Sequence, residues 1–592
     1  MKATTYSLTH KNAGICAYTI FAIALLLPNA VQAQNETGLN RELTLEREYD
    51  PSVRDANKVN TLPEVKAPAV AKSAIDYAFL SLPTDPKREI GLLSSGKYKT
   101  GIDYDKRRGY FNLGAGNYLN INGDAGYHIL SSEKDILNVY LSHRSTNGDV
   151  KYINDFMKGE STRARINDNL ASLRFLHKFS KATLKLNAGY GYSLFNYYGL
   201  PDPSPYSVLP QPQSVDTKTN QAARRIAVET GVQSVEGTTS LNYYADLRFN
   251  SISYKYGLGA DAEGVGENMI GARFGLSAAV GGVQWVGADA SFDYFHYVLP
   301  ASHIELENFL AGRIMPYYKQ EGDFWNLTLG ANILFFTGSK AKVFASPNLA
   351  IDLNLGAKTI LYAKLGGGLK TNNLLQMAEE NRYIDTYSRT LPSRTLIDAL
   401  IGLKSGVAPG FWFNLFGGYK YTADDYFFIP NRSWMGFGNL SHTMALNSRH
   451  LYGGLELKYA LHHLFEIRLK GVYNHWQVSD PNQETTGDIL IHPRPAAYGR
   501  PRVEGSAGLL VRPIDPLAFS LDYYLASGRV SRVGWNEAMA DIHELGLTSS
   551  YRINNSLGLY LKLNNILDRK YEVIYGYPLQ GFHFIVGFNL NF

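Results

Sequence analysis

Cysteine is almost missing from these 592 residues: Cys16 is the only one. It lies at the start of an apolar run near the N-terminus and follows Ile15 rather than a small residue, which argues against a lipoprotein site. A chain without further thiols has no disulfide framework, no cysteine nucleophile and no thiolate metal site. Charge is also sparse. Only 19% of residues are Asp, Glu, Lys or Arg, and the formal balance of +5 falls to +3 when the first 33 residues are set aside, since these carry Lys2 and Lys11 and no acid. Such a balance does not point to nucleic acid or to an acidic partner. Beyond the first thirty or so residues no stretch approaches the roughly 20 apolar residues of a spanning helix. No Gly-x-Ser-x-Gly elbow occurs, so a barrel esterase lacks its usual local signature. The expectation is a protein that is not an enzyme and carries no cofactor.

What is abundant is tyrosine and glycine, 41 and 55 residues. That balance suits many strands, turns and aromatic interface belts. The last ten residues set the pattern. Phe584, Val586, Phe588, Leu590 and Phe592 alternate with His583, Ile585, Gly587, Asn589 and Asn591. Leu557, Leu559, Leu561 and Leu563 alternate likewise with Gly558, Tyr560, Lys562 and Asn564. A period of two places successive side chains on opposite faces, and a face of Leu and Phe opposite one of Lys and Asn suits a strand between lipid and a wet lumen. The pattern recurs in 184–193, 325–335 and 517–526.

The connections sort into two kinds. Short ones fall near 131–133, 180, 235, 281–282, 321, 356, 406–410, 461–463, 513–516 and 554–555. Longer ones fall around 147–161, 199–218, 372–390, 424–443, 478–497 and 568–581, with lesser ones near 259, 300, 339 and 531. Their strict alternation is expected when tight turns face the periplasm and longer loops face outside. The fold expected is all-β: a transmembrane antiparallel barrel of about 22 strands over 97–592, in the outer membrane of a Gram-negative bacterium. Pro347 falls inside one strand, where a ladder donor is lost, and predicts a bulge. Ahead of the barrel, Lys2 and Lys11, the apolar run Ala17–Leu27 and Val31-Gln32-Ala33 read as a signal peptide over 1–33 cut between Ala33 and Gln34. Residues 34–96, broken by Pro51, Pro63, Pro68 and Pro83, read as an extended periplasmic or lumenal segment.

The C-terminal stretch Leu563-Asn564-Asn565-Ile566-Leu567-Asp568-Arg569-Lys570-Tyr571, followed by Gly576-Tyr577-Pro578-Leu579-Gln580-Gly581 and the strand ending on Phe592, resembles the end of the barrel in TonB-dependent outer-membrane receptors. That family's pattern is an Asn-Leu-x-Asp-x-x-Tyr element, a Gly-Tyr-Pro loop leading to Gly-Arg, and a terminal Phe strand. Asn565, Asp568, Tyr571, Gly576, Tyr577, Pro578, Gly581, Gly587 and Phe592 fit it, whereas Phe582 stands in place of the Arg and Gln580 in place of a common Pro. The resemblance implies solute or ligand uptake at the cell surface, outer-membrane lipid around the barrel, and delivery by the barrel-insertion machinery through the C-terminal strand. It also implies an N-terminal plug of well over about a hundred residues in a lumen this wide. Some sixty residues separate Gln34 from the first strand, and neither a plug pattern nor a TonB-contacting segment is apparent there. The alternative is therefore a structural or assembly subunit that works with surface lipoproteins or another barrel.

Two aromatic stretches are candidate ligand or partner loops: one with Tyr197, Tyr198 and Tyr206, the other with Tyr426, Phe427, Phe428, Trp434 and Phe437. Exposed aromatics at this density occur where ligands or proteins dock, or where the outer girdle continues into the loop bases. If they capture ligand, replacing Phe427, Phe428 and Trp434 with Ser abolishes binding; if they are girdle, insertion alone suffers. His462-His463 sits in a tight turn where adjacent imidazoles do not converge on one ion. Gly257, Gly259 and Gly264 lack the strand-to-helix context of a phosphate cradle. Asp261, Glu263 and Glu267 read as a solvated acidic loop rather than a calcium site.

Overall fold

A computed structural model describes residues 107–592 apart from 155–156, 201–219, 236–239, 258–262, 301–305, 339, 357, 389–390, 431–438, 462–463, 481–493 and 533–535. The expected signal peptide with its Ala33–Gln34 junction and the segment 34–96 lie outside the described residues, as do Tyr206, Trp434, Phe437, His462, His463, Gly259 and Asp261.

The strands are β1 (Gly109–Gly116), β2 (Asn120–Ser131), β3 (Asp135–Lys151), β4 (Ser161–Lys178), β5 (Ala182–Asn196), β6 (Asn220–Ser234) and β7 (Leu241–Tyr254). There follow β8 (Gly266–Gly281), β9 (Gln284–Val298), β10 (Phe309–Glu321), β11 (Trp325–Phe336), β12 (Lys342–Gly356), β13 (Thr359–Lys370) and β14 (Ser393–Ala408). The last are β15 (Phe411–Pro430), β16 (Ser441–Leu461), β17 (Phe465–Ser479), β18 (Val503–Ile514), β19 (Leu517–Ser527), β20 (Ile542–Arg552), β21 (Leu557–Asn564) and β22 (His583–Asn591). Each pairs antiparallel with its successor, and β22 pairs with β1, so the 22-stranded sheet closes on itself and has no edge. All ten short connections expected from the sequence fall between an even strand and the next odd one, at the end where Arg107 and Phe592 also lie.

Alternation sets the two faces. Leu415, Leu451, Leu455, Leu559 and Val586 point outward and are 54%, 54%, 41%, 47% and 56% exposed, as a lipid-facing wall requires. The other face carries the ions. Lys185 Nζ lies 3.1 Å from Asp246, Arg273 lies 2.8 Å from Glu229, and Arg248 lies 2.7 Å from Asp293, on the inner wall of β5–β9. The same inner face gives six tyrosines and six glycines a shared use. Tyr110, Tyr244, Tyr317, Tyr362, Tyr452 and Tyr560 each stand directly across from a glycine, respectively Gly126, Gly275, Gly287, Gly402, Gly418 and Gly587. At each of these glycines a Cβ would lie within 2.5 Å of the facing tyrosine, so the ring covers the backbone that the glycine leaves bare.

The seam between β22 and β1 uses this device. Gly587 pairs with Gly114 on one side and Tyr560 on the other, and a Cβ there would meet Tyr560 Cζ at 2.3 Å and the Leu113 carbonyl at 2.4 Å. The Phe592 carbonyl accepts from the amides of Arg108 (2.7 Å) and Gly109 (2.8 Å), and its ring stacks on Tyr127 at 6.3 Å. Gly587→Val should therefore destabilise closure by about 1–3 kcal/mol, the usual penalty of forcing methyl groups into a packed site. The temperature at which the folded band is lost on unheated SDS gels should fall; an unchanged midpoint would show that the seam tolerates a side chain.

Two expectations are corrected. Pro347 causes no bulge against β11: the register runs unbroken through Ala331↔Pro347. Its missing donor is tolerated because the ladder to β13 starts only at Leu349, and Gly367 approaches instead, leaving no room for a Cβ beside Ser346. The stretch from Asp424 is not loop. β15 continues to Pro430 across a bulge between Thr422 and Asp425, with Asp424 at φ 56. β15 and β16 run 20 and 21 residues. At about 3.3 Å per residue they outreach an apolar band about 25 Å tall and project beyond it on the outer side.

Candidate functional site

The hairpin ends β5–β6, β13–β14 and β21–β22 lie six to eight strands apart in a ring of 22. Their loops nevertheless touch, so they cross the outer mouth. The rings of Tyr383 and Tyr577 stack at 3.6 Å and 10°, and Tyr198 meets both edge-on, at 5.6 and 5.1 Å. These are favourable aromatic geometries. All three rings are at most 5% exposed. Tyr198 donates its hydroxyl to the Pro578 carbonyl (3.2 Å), Asn439 donates its amide to the Tyr197 carbonyl (2.9 Å), and Tyr577 donates to the Asn439 carbonyl. Phe195, Tyr254, Val265, Leu374 and Leu440 complete one dry cluster.

Backbone chemistry permits this approach. A Cβ on Gly199 would lie 2.4 Å from the Tyr577 ring, and Gly576 turns the chain at φ 82, a conformation that costs a side chain energy. Gly576 also donates its amide to Glu572 Oε2 at 2.8 Å. Burial pushes the Glu572 carboxyl up to about 7, against the pull of that amide and of Arg529. Arg529, itself 3% exposed, donates to the backbone carbonyls of Glu572 (2.7 Å) and Ala540 (2.6 Å) and so ties the β19–β20 and β21–β22 connections together.

The β13–β14 connection is the strap of the mouth. Its helix α1 (Leu374–Glu380) starts on Glu267 of β8, whose carboxylate accepts from the amide of Leu374 (2.6 Å) and from the Asn373 side chain (2.6 Å). A carboxylate at a helix N-terminus satisfies amides that have no intrahelical partner and complements the dipole. Glu267 is thus 2% exposed and committed to the helix, which corrects its reading as part of a solvated acidic loop. Beyond the helix, Arg382 donates to both carboxylate oxygens of Asp168 on β4, at 3.2 and 2.9 Å, and Glu379 pairs with Arg225 on β6. Two parallel bonds fix direction as well as distance.

Among the described residues, the candidate aromatics are not exposed. Tyr197 and Tyr198 are 2% exposed, Tyr426 0% and Phe427 1%. Tyr426 packs with Met377, Ile384 and the half-buried Phe428, whereas Phe427 packs with Leu446 and Tyr498. These side chains hold loops to one another instead of offering rings to solvent. The C-terminal motif proves to be the anchor of the same assembly. Asn565, at φ 46, donates to the carbonyls of Arg569 (2.8 Å) and Gln580 (3.2 Å), and Asp568 accepts from the Phe582 amide at 2.8 Å. Tyr571 donates to Glu544 at 2.9 Å, Gly581 leaves space for Asp568 Oδ1, and Tyr577 with Pro578 carries the cross-mouth contacts. Sequence reasoning missed Tyr383, Arg382, Asp168 and Glu267 as partners of this site; Arg382 meets Asp168 across 214 residues, and Glu267 meets Asn373 across 106.

No protein-family model matches the sequence, and no curated protein matches it. Solved structures do. The FrpB iron transporter of Neisseria meningitidis is similar with a TM-score of 0.62 at 11% identity, over 83% of this chain and 82% of that one. The copper transporter OprC is similar at 0.58 and 13%, over 82% of each chain. The ferric enterobactin receptor PfeA of Pseudomonas aeruginosa, in complex with enterobactin, is similar at 0.58 and 14%, over 82% and 81%. The chain shares its fold with these structures, a single antiparallel β-sheet of 22 strands closed into a barrel.

Proposed function

We propose that this barrel admits a solute or ligand at the cell surface through an outer mouth that its own loops close, and that it does no chemistry on what it passes. The observation that carries the reading is the Tyr198, Tyr383 and Tyr577 stack, which joins three loops from separate thirds of the barrel over the lumen. A 22-stranded barrel encloses a lumen far wider than its side chains fill, so loops that meet across it control entry. The similar structures described as iron and copper transporters and as a ferric enterobactin receptor support passage as the task. Whether coupling to TonB drives it turns on the segment before the barrel, and the reading does not require that coupling.

A second reading has its own support: a mouth sealed by a dry aromatic cluster also suits an assembly subunit that conducts nothing and serves as an anchor for surface lipoproteins or another barrel. Planar-bilayer recording separates them. An uptake barrel should show brief, voltage-induced openings of large unit size from a mostly closed state, after purification to a single chain. Unbroken silence at every voltage, with a partner that stays bound through purification, would replace the first reading by the second.

A further inference from the structure

We infer that the outer rim of β6 and β7 holds the phosphate of an anionic lipid of the outer leaflet, through Arg224 and Lys255. Arg225 pairs with Glu379 of the strap and so faces the lumen; its neighbour Arg224 therefore faces outward. On that outward face Arg224 stands directly between Tyr192 of β5 and Ser253 of β7, two hydroxyl groups. Lys255 follows β7 and donates its amide to the Ala222 carbonyl at 2.8 Å. It is the diagonal neighbour of Arg224, a relation that separates such residues by about 7–8 Å. Its ammonium rests 4.7 Å above the Tyr256 ring, which keeps it at the surface. Both cations are exposed, and neither pairs with a carboxylate among the described residues.

What lies beneath them decides the occupant. Ile226 and Val228 continue the outward row of β6 below Arg224 and are 42% and 37% exposed, and Tyr190 stands beside Ile226 at 47%. The patch is thus continuous with the lipid-facing wall, at its long-loop end. A guanidinium offers a phosphate two parallel donors and an ammonium adds a point charge. A lipid can place acyl chains along Ile226 and Val228 while its phosphate meets the cations, whereas a free phosphate gains nothing from the apolar row. Basic residues at a membrane surface draw anionic headgroups in this way.

The test uses the purified full chain and its Arg224→Glu/Lys255→Glu variant in detergent, with mixed micelles of a diphosphorylated lipid A as the probe and phosphatidylcholine as the control. The wild type should retain lipid A, with phosphorus measured per protein after washing. The variant should bind it about 30-fold more weakly, the product of two lost cation contacts of ordinary surface strength. Retention by the wild type should also fall in 1 M salt, where screening is nearly complete beyond about 3 Å. An Arg224→Gln/Lys255→Gln variant that keeps the folded gel band provides the same comparison without charge reversal. Equal retention by wild type and variants, or release of the lipid by millimolar inorganic phosphate, would overturn the inference.

Discussion

Replacing Tyr383 and Tyr577 together with alanine should turn a mostly closed barrel into one that conducts steadily. Each ring is buried to within 5% of completeness, and the two stack on each other at 3.6 Å. Truncating a buried aromatic ring costs about 3–5 kcal/mol at a packed site. The two losses overlap because the rings are partners, so the pair is worth less than the sum of single effects. Even one such loss, about 3 kcal/mol, raises the open population of a local equilibrium on the order of a hundredfold. The strands make no use of either side chain for their ladders, so folding should survive, as the heat-dependent gel shift would show. Arg382→Ala should give a weaker form of the same behaviour. Its pair with Asp168 is about one third exposed on each side, and pairs of that kind contribute about 1 kcal/mol or less. A double variant as silent as the wild type, with an intact barrel, would mean that the tyrosine stack does not govern entry.

The same tyrosines show where sequence reading succeeds and where it stops. Strand positions were legible because they depend on neighbours two residues away: Leu559 and Leu561 against Tyr560 and Lys562 declare their faces without reference to anything distant. Turns at Gly281-Gly282 and Asn554-Asn555 are likewise local, since residues that accept unusual backbone angles mark them. The link between β1 and β2 escaped for the converse reason. It is only Asn117–Leu119, without Gly or Pro, and it reverses the chain by placing Tyr118 and Leu119 at φ 55 and 48. The mouth was illegible because its contacts are remote. Tyr198 touches Pro578 across 380 residues, and Arg382 touches Asp168 across 214. Nothing in Phe195-Asn196-Tyr197-Tyr198 tells a ring that faces solvent from one that another loop will cover. The C-terminal motif was visible as a pattern, but its purpose as the anchor of a loop appears only when Asn565 and Asp568 are seen holding Gln580 and Phe582.

The turn at Gly576, whose amide donates to Glu572, should respond to pH. Glu572 is 5% exposed, and burial raises its carboxyl from about 4.5 to about 7. The folded loop therefore keeps a proton that the unfolded loop has released, and between these two values the native state binds more protons than the open one. Stability of the loop is then greatest below about pH 4.5, declines as pH rises through the window, and is level above about pH 7. The full difference corresponds to about 3 kcal/mol, less whatever relaxation of the site recovers. Glu572→Gln removes the ionisation while keeping an oxygen that can accept from the Gly576 amide, so at pH 8 its loop should be the more protected by roughly that amount. Hydrogen exchange of the amides around Gly576 is the suitable measurement, with the variant at each pH correcting for the intrinsic rate. Wild type and variant should coincide at pH 4 and diverge steadily up to neutrality. If their protection ratio stays constant from pH 4 to pH 8, then Glu572 is already ionised in the closed mouth and the negative charge is met by Arg529 more fully than their geometry indicates.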